Sequence, residues 1–333
     1  MTELDVLAVG DLNPDLLVSG DVTPRFGQAE QDVSAHLTLG GSAGIFAAGA
    51  ARLGLRTAIA ATVGDDDLGR ATCAMLAARG VEVGAVGVDP DRPTGLSINL
   101  QRDDDRAILT DRGAIPALDV AAAVAAVAPG VRHVHLASVF LIPALARDGG
   151  TLVDAAWSVG ATVSVDTNFD PTGDFAAPDW LRDADVLVPN EAEALALARG
   201  SEGDGPSAAG GEAAARSRAA RTEEDPLLTA ARRLGARGAL VAVKRGAAGA
   251  LAVRGDEVFE ARARAATGPD SVGAGDSFDA GLVWALLDDR PLPEALGIAW
   301  ACGALSLRAA GGVDGQATLD EALRLAAELR SAR

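Results

Sequence analysis

Short β-branched or apolar runs alternate with longer alanine-rich segments along almost the whole chain, and that alternation leaves few folds open. Continuous apolar runs suit strands buried on both faces, and the alanine-rich pieces are long enough to cross back over a sheet. The pattern therefore predicts an α/β fold of βα units around a mostly parallel sheet. Strands are expected at 6–10, 57–63, 133–137, 162–166, 186–189, 239–244 and 250–253. Polar residues stand at or near their ends: Asp11 and Asn13, Gly64 and Asp65, Asp166 and Asn168, Asn190 and Glu191, Lys244 and Arg245. Ligands of open α/β sheets bind beyond the carboxyl ends of the strands, so these residues should converge on one cleft.

Three alternating stretches break the rhythm, at about 12–20, 32–39 and 94–110, the last folding about a charged turn from Arg102 to Arg106. They predict a small antiparallel sheet beside the main one, either a lid that excludes water or an ordinary edge hairpin. Residues 200–226 are rich in Gly, Ala, Ser and charge, without apolar periodicity until Leu227, and read as a flexible surface insertion with no catalytic part.

Composition removes several classes of function. A net charge of −18 without a basic cluster disfavours nucleic acid. No apolar run is long enough to span a bilayer, and no secretory leader is apparent, so a cytoplasmic protein is expected. Cys73 and Cys302 stand alone among alanines and read as core residues. Lys244 is the only lysine in a chain that otherwise uses arginine, which singles it out as a position that needs a compact ammonium.

The chemistry concentrates in Asp270-Ser-Val-Gly-Ala-Gly-Asp-Ser-Phe-Asp-Ala-Gly281, where a Gly273-Ala274-Gly275 turn delivers Asp276 to the start of an apolar helix. Such a turn exposes unpaired N–H groups at the positive end of the helix dipole, where a phosphoryl group is held. A carboxylate there competes with phosphate unless it has its own task, and taking a proton from an attacking hydroxyl is the obvious one. A plain helix cap is the alternative. A dinucleotide fingerprint fails because its third small residue falls on Phe278. The sole lysine lies outside any P-loop context, and the protein-kinase His-Arg-Asp and Asp-Phe-Gly motifs are absent.

With this turn, the chain resembles the ribokinase-like (PfkB) carbohydrate and nucleoside kinases. Further elements follow in that family's order: Gly40-Gly-Ser-Ala-Gly-Ile-Phe-Ala-Ala-Gly-Ala-Ala-Arg-Leu-Gly54, Val63-Gly-Asp-Asp-Asp-Leu-Gly69, Asn190-Glu-Ala-Glu193 and Val243-Lys-Arg-Gly-Ala-Ala-Gly249. The resemblance implies a single domain over 1–333, a three-layer α/β/α ribokinase-like fold with a small β-sheet lid, and an ATP- and Mg²⁺-dependent kinase acting on a hydroxymethyl group of a small sugar or sugar-like molecule. It implies Asp276 as general base, with Gly273, Ala274 and Gly275 as the anion hole. Asn190 and Glu193 would organise Mg²⁺ and phosphate through water, and Gly246, Gly249 and Lys244 would lie by the nucleotide. Trp300 would stack on adenine, or else be a plain core tryptophan. On the acceptor side it implies Asn13, Asp15, Gly40, Gly41, Ser42 and Asn168.

Ile45 departs from the family pattern, which commonly has Asn there. An isoleucine cannot grip sugar hydroxyls, so a ligand with an apolar edge or fewer hydroxyls is expected. Asp270 with the carbonyl of Val272 resembles the monovalent-cation site of some members, leaving K⁺ activation open. Three rival readings stand: a nucleoside kinase with Ile45 and Phe46 walling the base, a phosphosugar kinase using Arg106 or Arg112, and a catalytically idle sugar-binding module. A homodimer through the lid is compatible with the family.

Overall fold

The computed structural model describes residues 4–27, 30–102, 105–200, 225–261, 268 and 271–331. Its centre is a nine-stranded sheet ordered β13-β12-β11-β10-β9-β8-β1-β4-β5. These are β1 (Val6–Val9), β4 (Thr57–Gly64), β5 (Glu82–Asp89), β8 (His133–Ala137), β9 (Thr162–Asp166), β10 (Val186–Leu187), β11 (Leu240–Lys244), β12 (Ala250–Arg254) and β13 (Glu257–Ala261). All neighbours from β11 to β5 pair parallel, whereas β12 and β13 join antiparallel at one edge. The seven expected strands are present within a few residues of their expected ends. β5 and β13 went unforeseen, because each is a half-exposed edge strand with acidic residues where a central strand carries Val or Ile.

Helices cover both faces. One side carries α1 (Ser42–Arg52), α8 (Ala274–Leu287), α9 (Leu292–Ser306) and α10 (Leu319–Ser331), packed on the inward set that includes Val6, Ala8, Leu240 and Ala242. The other carries α3 (Val120–Ala126), α4 (Pro143–Asp148), α5 (Gly150–Ser158), α6 (Glu191–Gly200) and α7 (Pro226–Leu234), packed on Leu7, Val9, Val241 and Val243. Adjacent residues of β1 and of β11 thus serve opposite faces, which is why these strands read as unbroken apolar runs. α2 (Asp67–Ala77) follows β4, with Asp66 capping its amino end. Among the described residues no helix is long and apolar enough to cross a membrane.

The second sheet has four strands in the order β3-β2-β6-β7: β3 (Val33–Gly40), β2 (Asn13–Gly20), β6 (Leu96–Arg102) and β7 (Asp105–Asp111). It is mixed, not antiparallel as expected, because β2 pairs parallel with β6. β2 leaves the main sheet directly: only Gly10, Asp11 and Leu12 separate it from β1. A Cβ on Gly10 would lie 2.7 Å from the Ala137 carbonyl oxygen, so this crossing runs tight against β8. Of the expected 200–226 insertion, residues 201–224 lie outside the described set. Its ends are regular structure, since Gly200 closes α6 and Asp225 caps α7 through the Leu227 amide.

Candidate active site

Gly273 sits at φ 70° and opens α8 without a side-chain cap. A Cβ there would stand 2.5 Å from Cα of Gly312 and 2.9 Å from Cγ2 of Ile45, so both the conformation and the space call for glycine. Of the first-turn amides Ala274 donates at 3.4 Å to the Ser271 carbonyl, and a helix start of this kind offers further N–H groups to an acceptor from outside the helix. The turn also partitions two cavities. Gly273 and Asp276 line one of about 610 Å³, while Ala274 and Gly275 line another of about 270 Å³.

Asp276 is buried at this partition. Burial, reinforced by the Asp166 carboxylate, pushes its pKa up to about 8, against the pull of Lys244 and a hydrogen bond from Ser42. Asp166, Asp276 and Asp279 each place a carboxylate oxygen within 4.8 Å of the others. Lys244 reaches in from the end of β11 and pairs with two of them, Asp166 and Asp279, the latter at 3.2 Å. Burial alone opposes its charge, but Asp166, Asp279 and Glu193 outweigh it and raise its pKa. Asp279, one turn after Asp276, is held well above the usual carboxylate range by burial in spite of Lys244. Sequence reasoning passed over Asp279; an acid one turn on from Asp276, on a helix otherwise rich in apolar residues, was the available signal.

The larger cavity gathers the expected acceptor residues. Asn13 donates from Nδ2 to Asp15 Oδ1 at 3.1 Å and to Ser97 Oγ at 3.3 Å. Gly41, Ser42, Ile45, Asn168 and Val272 share its wall. Asn168 adopts φ 53°, accepts from the Ser138 amide and donates to Asp166 Oδ2 at 3.0 Å, tying the acceptor side to the acidic cluster. Asp11, one of the strand-end residues expected to meet in the cleft, lines the cavity and accepts from the Ser42 and Ala43 amides, so that it caps α1. Gly40 does not line the cavity. It makes room for Asp15, whose Oδ1 would be 2.0 Å from an added Cβ.

The smaller cavity is bounded by Gly246 and Gly249 from the turn after β11, by Phe278, and by Trp300 from α9. Gly246 and Gly249 take φ 50° and 100°. Lys244 touches this wall while engaged with its two aspartates.

Other placements differ from expectation as well. Asn190 and Glu193 line neither cavity; the Asn190 amide donates to Glu193 Oε2 and the Glu193 amide to Asn190 Oδ1, each at 2.9 Å. They form a reciprocal cap on α6. The Glu193 carboxyl is still electrically part of the site, pushed up to about 7 by burial and by Asp166. Phe46 is fully buried and stacks on His135 at 3.7 Å between ring centroids, so it walls no cavity. Asp270 lies outside the described residues. A shallower cleft of about 960 Å³ at the amino ends of the strands, where Arg132, Arg237 and Arg290 are paired with acids, contains none of the expected site residues.

Residues 4–319 match the family model described as pfkB family carbohydrate kinase. The chain belongs to that family. Its sequence is 32% identical over 291 residues to the bifunctional protein HldE of Caulobacter sp. (strain K31), covering 84% of this chain and 54% of that protein. The chain thus spans about half the length of this relative. A ribokinase II of provisional assignment from E. coli, solved in complex with ATP and Mg²⁺, has a TM-score of 0.80 at 22% identity, over 98% of this chain and 99% of that one. Arabidopsis thaliana ribokinase, solved with ribose and ATP, has a TM-score of 0.76 at 21% identity over 98% and 99%. These likenesses are of the fold, and the ligands are those proteins' own.

Proposed function

We propose that this pfkB family member transfers the γ-phosphoryl group of ATP to a hydroxymethyl group of a small sugar or sugar-like acceptor. One observation carries the reading: Asp276 stands at the wall between two cavities, and the amides beside it belong to the turn that separates them. The acceptor hydroxyl in the larger cavity gives its proton to Asp276 as its oxygen bonds to the γ-phosphorus. The bond from that phosphorus to the β,γ-bridging oxygen breaks, and ADP leaves. The Gly273–Asp276 amides offset the charge on the transferring group. Asn13 and Asp15 orient acceptor hydroxyls, and Trp300 with Phe278 gives the adenine an apolar wall.

Mg²⁺ takes oxygen ligands and keeps several waters, and buried carboxylates whose pKa is raised suit such a cation. Lys244 already stands between Asp166 and Asp279, so the donors favour a hydrated ion held through Glu193 over one ligated by all three aspartates. Bound there, the ion would draw charge from the β- and γ-phosphates. The small sheet, which carries Asn13, Asp15 and Arg106 over the larger cavity, serves as the lid of a single domain.

The test is ADP release from ATP in the presence of Mg²⁺ across a panel of sugars, sugar acids, sugar phosphates and nucleosides. Acceptor-dependent release is expected with at least one sugar-type compound. Release with nucleosides alone would replace the sugar reading, and no acceptor dependence with any compound would sink it.

A further inference from the structure

Lys244 carries the chain's only lysine ammonium, and it lies where helix electrostatics would not put one. Its Nζ stands 3.4 Å from the position that a Cβ on Gly275 would take, so it rests against the first turn of α8, on the wall of the smaller cavity. The amino end of a helix is positive, and cations are favoured at the other end. The chain nevertheless fixes this one in place. The root of the side chain is held from both neighbouring strands, by the Lys244 amide to the Pro189 carbonyl at 2.9 Å and by pairing with Ala250. The ammonium donates to Asp166 and, at 3.2 and 3.4 Å, to the two carboxylate oxygens of Asp279. Asp166 is steadied in turn by the side-chain amide of Asn168 at 3.0 Å.

Asp279 is 1% exposed and follows Gly275 and Asp276 by four and three residues, so all three lie on one face of α8. A carboxylate and an ammonium buried there are not explained by packing, because apolar side chains of similar volume in place of a buried ion pair are often neutral or stabilising. An anion arriving at the turn explains them. The ammonium and the turn's free N–H groups then form one positive focus, at the boundary that a phosphoryl group crosses between the two cavities.

Resting on the kinase reading above, we infer that Lys244 is a further catalytic residue, meeting the phosphoryl group in transit, and that Asp279 is its positioning residue. With Asp166, Asp279 holds the ammonium against the Gly275 turn before the nucleotide arrives. A charge fixed in this way acts chiefly on the negative charge that develops during transfer. Affinity for the nucleotide is left to the apolar wall formed by Phe278 and Trp300.

A double-mutant cycle on the intact chain, with ATP, Mg²⁺ and an acceptor from the panel above, tests both roles. Lys244→Met should lower kcat by about 10²–10³-fold, as loss of one donor at a developing charge does. Asp279→Asn keeps the shape and removes the charge, and should lower kcat by about 10–100-fold, as a misplacement of about 1 Å does. The KM for ATP should hold in both. The double variant should be no slower than Lys244→Met, and losses that multiply would remove Asp279 as the positioning residue. A raised KM for ATP with kcat unchanged would make Lys244 a nucleotide-binding residue and overturn the inference.

Calorimetry supplies a readout that a purely structural pair would not move. ADP with Mg²⁺ is compared with ADP, Mg²⁺ and aluminium fluoride, a mimic of the group in transit, and the gain in affinity should shrink in both single variants. The ratio is taken on one protein, so it holds for a variant that is partly unfolded. If Asp279→Asn does not fold, Asp279→Glu, which shifts the charge by one methylene, is read in the same way. Turnover by the parent chain with kcat and the aluminium fluoride gain unchanged in the variants defeats this inference alone. No acceptor-dependent turnover by the parent defeats the kinase reading, and this inference with it.

Discussion

On the Gly275 side of the turn the cavity wall is mostly carbon and missing side chains, from Phe278, Trp300, Gly246, Gly249, Gly303 and Ala304, with Lys244, Arg245 and Ser271 as its polar residues. On the Gly273 side aspartates, asparagines, serines and arginines are set into an apolar wall that includes Ile45, Ile108, Ile115, Leu141 and Phe169. A flat aromatic base needs width and an apolar face, which small residues supply wherever they occur. A polyol needs donors and acceptors at fixed places, which takes side chains from several separate segments. The first kind of site tolerates a change in its ligand's pattern of hydroxyls and the second does not, so on the proposed reading acceptor identity is set on the Gly273 side of the partition.

Asp276→Asn removes the group at the partition and should have the largest effect, lowering kcat by about 10²–10⁴-fold, the usual span for a general base. Binding of both ligands should persist; unchanged turnover would remove Asp276 from that role. The pH profile comes next. The folded pKa of Asp276 is raised to about 8, and the base must be ionised, so kcat/KM of the free protein should rise by about tenfold per pH unit up to that value and then level. A profile flat from pH 6 to 9 would show another group, or no titrating group, in that place.

Trp300→Ala tests the carbon side. Loss of base stacking should raise the KM for ATP by about tenfold or more while the KM for the acceptor holds, and a change in acceptor KM alone would reverse the assignment of the two cavities. The smallest effect is expected for Ile45→Asn, a change of a few-fold in kcat/KM toward more hydroxylated acceptors. Since Ile45 packs against Gly273 and Gly312, the ratio between two acceptors is the quantity to measure, because it cancels any loss of folded protein. An unchanged ranking would mean that this side chain only supports the turn.

The glycine turn and Trp300 are legible in the sequence, because each lies in a run whose signal is local. The polar side was legible only in part. Asn13, Asp15 and Asn168 stand at or just beyond strand ends, where ligands of α/β sheets gather, but Asn99 sits inside a strand of the second sheet. Its warning was local: Asn is disfavoured in strands, and this one falls between Ile98 and Leu100 on the face that turns inward. Asn190 and Glu193 carry two readings at once. An Asn-x-x-Glu spacing at a helix start is also what a reciprocal cap requires, and that is the role their hydrogen bonds display. The parallel pairing of β2 with β6 was hidden because register between strands some eighty residues apart leaves no local trace.

Only Gly10, Asp11 and Leu12 join β1 to β2, and β2 already carries Asn13 and Asp15. On the proposed reading, two of the acceptor's hydroxyl contacts, Asn13 and Asp15, are thus fixed to the cover of the cavity. If the small sheet tilts, these contacts swing with it as the short arm of a lever whose fulcrum is that three-residue joint, while Asp276 stays with the main sheet. On the proposed reading, seating the acceptor and setting its distance to Asp276 become one mechanical event.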